Sequence, residues 1–134
     1  MVLIEWSKNL SVDIDIIDEQ HKKLLKYMND LYQALTEHKE KEILMDLFND
    51  LDEYTKTHFT LEEEYFKKFN YKDKDIHIQL HKDFINNLNK MKLQIPKDLM
   101  DTEDLLSFLV EWIKGHIKVN DHEYIDCFHK NGLK

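Results

Sequence analysis

At 134 residues, 42% hydrophobic and 34% charged, the chain is expected to form one globular domain, spanning 1–134, and is too rich in apolar side chains to be a disordered segment. Its net charge of −8, with 19 basic residues that are all lysine, argues against a nucleic-acid partner and leaves no arginine to grip phosphate in bidentate fashion. A lone cysteine, Cys127, fits a reducing compartment, and the apolar start MVLI ends at Glu5 with no later run long enough for a membrane, so a soluble cytoplasmic protein is expected.

Two glycines and one proline are few for a sheet protein and favour helices with short connections. After an arm over 1–17 that includes Trp6 and should pack along the outside, the first helix begins near Asp18, a candidate cap. It carries Ile17, His21, Leu24, Met28, Leu31 and Leu35 along one stripe. The second runs from about Lys41 to Phe69, with Leu44, Leu47, Leu51, Tyr54, His58, Glu62, Tyr65 and Phe69. The third starts near Asp73 and carries His77, Leu80, His81, Phe84, Leu88 and Met91. The fourth follows Pro96 and a cap at Asp101 or Thr102, with Leu105, Leu109, Trp112, His116, Val119 and Glu123. Alternating steps of three and four residues mark amphipathic helices whose stripes face a core. Short connections at 36–41 and 70–73 make the paired helices antiparallel neighbours. The expected fold is therefore all-α, an up-down-up-down four-helix bundle over about 18–128.

In such a bundle the starts of helices one and three share an end with the finishes of two and four. With a rise of about 1.5 Å per residue, His21, His58, Glu62, His77, His81 and His116 all fall within a few turns of that end. Singly, a histidine on an apolar stripe is more often a hydrogen-bonded core residue than a ligand. Burying five imidazoles and a carboxylate together without a partner, however, would cost several kcal/mol by rough transfer arguments. A cation removes that cost, since neutral imidazole is a common metal ligand. Glu62 is thus expected to face inward to a metal, and Glu63 and Glu64 to face water. His38 and His129 are expected to be solvated, His122 to lie at the surface or just outside the site, and Cys127 to be a buried, inert thiol. A second carboxylate is needed, and the stretch after His116 offers Asn120, Asp121 and Glu123. Helical spacing favours Asn120 (i+4) or Glu123 (i+7); Asp121 at i+5 would need a local irregularity.

The set IDEQH (17–21), HFTLE (58–62), HIQLH (77–81) and HIKVND (116–121) resembles the hemerythrin family, in its bacterial branch, over almost the whole chain from Trp6 to Tyr124. The resemblance implies the same up-down bundle and a non-haem di-iron site with an oxo or hydroxo bridge. Carried onto this chain, it implies that His77, His81 and His116 bind one iron and His21 and His58 the other, with Glu62 and Asp121 bridging. It selects Asp121 where spacing favours its neighbours. Asp13 stands where bacterial members often have glycine. With two six-coordinate irons, that ligand set leaves one position open, on the iron with two histidines. In the family that position takes O₂; NO or small anions could compete. Leu24, Trp112, Ile113 and Ile117, at helical offsets from ligands, are candidates for an apolar O₂ pocket, although ordinary core packing explains them equally.

The chain contains no Glu-x-x-His, the motif of carboxylate-rich ferritin-like di-iron sites. Five neutral imidazoles should disfavour the higher oxidation states that oxygen insertion needs. The leading expectation is reversible O₂ binding for storage, delivery or scavenging, without catalytic turnover. The competing expectations are an O₂, redox or NO sensor acting through a signalling partner, a di-iron peroxidase or ferroxidase, and a metal-free structural bundle.

Overall fold

The computed structural model describes residues 3–95 and 101–134; Pro96, expected before the fourth helix, and the first two residues of the chain lie outside them. The fold is an all-α four-helix bundle, without a strand among the described residues. Its helices are α1 (Asp15–Thr36), α2 (Glu40–Lys68), α3 (Lys74–Lys92) and α4 (Thr102–Trp112). The last continues without a break into a π-helical stretch (Ile113–Asn120), a 3₁₀ turn (Asp121–Tyr124) and a short α5 (Ile125–Lys130). Helix α1 packs against α2 and α4, and α2 against α3. The α3–α4 contact is aromatic, with Phe84 stacked on Phe108 and tilted against Trp112.

One device ends several helices. His38 (φ 56), Asn70 (φ 50) and Gly132 (φ 89) adopt left-handed backbone. In each case the next amide reaches back five residues, Lys39 to Ala34 (2.7 Å), Tyr71 to Phe66 (2.9 Å) and Leu133 to Phe128 (3.0 Å). These are Schellman closures, which satisfy the orphan carbonyls of a last turn. At the other end of α4 the Asp101 carboxylate accepts from the amides of Glu103 (3.0 Å) and Asp104 (3.4 Å), so Asp101, and not Thr102, is the cap.

The arm departs from expectation. Helix α1 starts a turn before Asp18, which is not its cap. The Asp18 carboxylate instead reaches back to the Ser11 hydroxyl (2.6 Å) and the Val12 amide (2.9 Å), holding the turn that leads into the helix. Asp13 in that turn has φ 55, a conformation glycine adopts without strain and aspartate tolerates better than most residues. Only the outer part of the arm lies outside: Trp6 is half-buried beneath the Lys22 ammonium. Leu10, Val12 and Ile14 are buried.

Two apolar layers result. Val12, Ile14 and Ile17 close one end of the bundle together with Phe66, Tyr71, Tyr124 and Phe128. The longer core runs from Leu24 and Phe59 through Phe84 and Ile117 toward the far end. Along the helices the buried histidines and carboxylates fall between these layers. The expected α2 stripe is too narrow: Tyr65 and Phe69 are half-buried, while Phe48, Phe59 and Phe66 are the fully enclosed rings. That helix has neighbours on two sides, and burial spreads across a wider arc than one residue per turn.

Candidate metal centre

Each helix contributes to one buried polar layer. His21 from α1, His58 and Glu62 from α2, His77 and His81 from α3, and His116 and Asp121 from the last helix are all 0–4% exposed. Their ligand-capable atoms form two groups, Glu62–His77–His81–His116 and His21–His58–Glu62–Asp121, each within 4.8 Å. The carboxylates straddle the groups. Glu62 Oε1 lies 3.1 Å from both His58 Nε2 and His81 Nε2. Asp121 lies 3.0 Å from His21 Nε2 and His116 Nε2 and 2.9 Å from His77 Nε2.

Asp121 faces inward because the helix changes pitch. Its amide donates to the carbonyl of His116, five residues back, at the end of the π-helical stretch. A π-turn is wider than an α-turn by about one residue, so i+5 aligns where an α-helix would align i+4. The same change turns Val119 (53% exposed) and Glu123 out to solvent, although regular spacing places both on the inner stripe. Of the three carboxylate and amide candidates after His116, Asp121 alone is fully buried.

Outer contacts fix the ring orientations. His58 Nδ1–H donates to Gln20 Oε1 at 2.6 Å, and His81 Nδ1–H donates to Glu63 Oε2 at 3.0 Å. A ring that donates from Nδ1 presents an Nε2 lone pair inward in its neutral form. Glu63 was expected in water, but it is half-buried and held on His81; Glu64 is exposed. Neither Gln20 nor Glu63 stands out in the sequence, because their positions depend on a ring that a neighbouring helix supplies. His81 also lies flat on Phe59 (3.8 Å, 2°) and His116 flat on Trp112 (3.8 Å, 10°).

Electrostatics hold both carboxylates of the layer in their charged form. Burial and the neighbouring Asp121 push the Glu62 carboxyl upward, but the imidazoles of His58 and His81 prevail and hold it below the carboxylate range. Burial likewise works against Asp121, and His116, His21 and His77 hold it well below. Burial draws His58 and His116 downward, toward the neutral form that binds metals. For His81, burial is outweighed by Glu62 and Glu63 on its two nitrogens, which push it up to about 9. Yet the Nε2 atoms of His77, His81 and His116 and all four oxygens of Glu62 and Asp121 are buried without a hydrogen bond of acceptable geometry. Donor atoms about 3 Å apart that make no acceptable hydrogen bond to one another fit a bound cation and are costly otherwise.

The remaining candidates are distributed as follows. Leu24, Ile113 and Ile117 are buried in the long core and Trp112 packs against it. His38 is exposed. His129 is half-buried, and its Nε2 donates to the Asp13 carbonyl at 2.8 Å, tying the last helix to the arm instead of standing in solvent. His122 is half-buried with an unpartnered Nε2. Cys127 is a free, half-buried thiol that burial pushes up.

This bundle, with histidines and carboxylates from four helices meeting in one layer, defines a helical cation-binding protein. Residues 12–128 match the family model of the hemerythrin HHE cation binding domain, and the chain belongs to the hemerythrin family. It is similar to a bacteriohemerythrin of Clostridium acetobutylicum, 32% identical over 90% of this chain and 98% of the relative. A bacteriohemerythrin of Stenotrophomonas maltophilia is 28% identical over 94% of this chain and 82% of the relative. A myohemerythrin of Theromyzon tessulatum is 32% identical over 90% and 89%. No described helix is long and apolar enough to cross a membrane.

Proposed function

We propose that the two residue groups hold a pair of non-haem irons with an oxo or hydroxo bridge, and that this centre binds O₂ reversibly for storage, delivery or scavenging. His77, His81 and His116 would hold one iron, His21 and His58 the other, with Glu62 and Asp121 shared. The observation that carries the reading is the straddling of both groups by both carboxylates, which a one-ion site would not require.

When bound, the irons supply reversible electron exchange with O₂ at an open coordination position. The protein's part is to orient and to exclude water. Gln20 and Glu63 hold two imidazoles in the tautomer that would face a metal, and Phe59 and Trp112 stack flat on His81 and His116. Leu24, Ile113 and Ile117, each at most 1% exposed, together with Trp112 would form a dry wall beside the site that keeps protons and water out. An imidazole-rich shell, in place of a carboxylate-rich one, supports a binder over an oxidation catalyst.

The test is a visible spectrum with iron analysis on one sample, reduced without air and then oxygenated. About two irons per chain, with colour that appears on oxygenation and fades when O₂ is removed, is the expected result. Iron that oxidises at once and stays oxidised would turn the assignment toward redox sensing or catalysis. Protein made with ample iron that holds none would overturn the ligand set.

A further inference from the structure

A surface pocket of about 190 Å³ in the groove between α1 and α2 ends on the outer edge of His58. Gln20, Lys23, Glu53, Tyr54 and Thr57 are among its walls. The imidazole is 1% exposed, and its outer nitrogen is tied to Gln20 at the pocket wall. The Tyr54 phenol, 5% exposed, lies beside it without a hydrogen-bond partner for its hydroxyl.

Two histidines of the other group, His81 and His116, are held differently. His81 is sandwiched on Phe59 at 3.8 Å and bonded to a carboxylate, and His116 is stacked on Trp112 at 3.8 Å. The nearest ring parallel to His58 is Tyr54, with centroids 5.2 Å apart. Its outer partner is a neutral amide, and hydrogen bonds to ionised groups are about twice as strong as neutral ones. His58 thus lacks the close stacking of His81 and His116 and the charged outer partner of His81, and it has empty space behind it.

We propose that the α1–α2 pocket is the port through which the metal held by His21 and His58 exchanges with solvent, and that Gln20 is the latch. Breaking the Gln20–His58 bond lets the imidazole turn into the pocket and present its nitrogen to solvent, where it can receive or release a divalent cation. The two metal positions therefore differ in lability: the two-histidine ion leaves through the port, and the three-histidine ion is retained. This inference rests on the ligand set proposed above. Gln20 acts as a positioning residue, and its effect is on exchange rate.

The experiment uses the whole chain reconstituted with Co²⁺ and challenged with a strong chelator, followed by the visible absorption of the bound ion. Two phases of equal amplitude are expected. Gln20→Ala speeds the fast phase by about three- to tenfold, the value of one lost hydrogen bond, and leaves the slow phase unchanged. Gln20→Glu, with a charge-assisted bond, restores or slows the fast phase. Thr57→Trp, at an exposed pocket wall, slows it several-fold without loss of either ion. A single phase, or two phases that none of these variants moves, would overturn the port. Equal acceleration of both phases by Gln20→Ala would also overturn it, as the mark of general loosening. A chain that binds fewer than two Co²⁺ ions would sink the ligand set itself, a different failure.

Discussion

Three consecutive glutamates, 62 to 64, have three different surroundings. Glu62 is fully buried between imidazoles of two helices, Glu63 is half-buried on the outer nitrogen of His81, and Glu64 is exposed. Their i, i+1 and i+2 offsets turn them by about 100° each on an α-helix, enough to pass from core to rim to solvent. Iron analysis and chelator competition should separate them. Glu62→Gln, which neutralises a shared carboxylate, is expected to leave less than about one iron per chain. Glu63→Ala keeps the ion-facing atoms but frees the His81 ring, and should weaken metal affinity by about 10- to 100-fold. Glu64→Gln should change neither.

Among the helices, the last one decides the site. A regular α-helix through 113–124 would carry Val119 and Glu123 inward, and it would place Asn120 on the His116 face. The π-helical stretch replaces that face with Asp121, using the Asp121 amide to His116 carbonyl bond as its closing link. Such wide turns occur at functional sites because they re-aim one side chain at little cost to the helix on either side. Shifting the carboxylate back one residue tests whether the pitch is built into the fold. In the double variant Asn120→Asp with Asp121→Asn, position 120 still faces the rim. Iron content should fall to about one ion per chain or less, with helix content by circular dichroism unchanged. Restored iron would mean that the pitch follows the ligand and not the packing.

For the molecule as a whole, the polar layer lies between two apolar ones and must be compensated. Five imidazoles and two carboxylates at most 4% exposed are a liability in an ion-free bundle, since several of their atoms lack hydrogen bonds. Binding to the folded state alone stabilises by mass action. Thermal unfolding with and without a chelator is expected to differ by on the order of 10 °C, the metal-loaded form melting higher. Equal melting temperatures in the two would show that the layer is satisfied without a cation.

Read alone, the sequence determined the helical class, the antiparallel pairing and the six residues that regular spacing brings to one end of the bundle. Hydrophobic periodicity and short connections are local signals, and His21, His58, Glu62, His77, His81 and His116 follow them. Spacing left the second carboxylate open between Asn120, Asp121 and Glu123; resemblance pointed to Asp121, and the π-pitch shows how it faces inward. Tertiary structure alone decided the burial of Leu10, Val12 and Ile14, the Gln20 and Glu63 contacts, and the tie from His129 to Asp13. Each depends on which ring or carbonyl a distant element presents, and on a helix pitch that periodicity assumes to be constant.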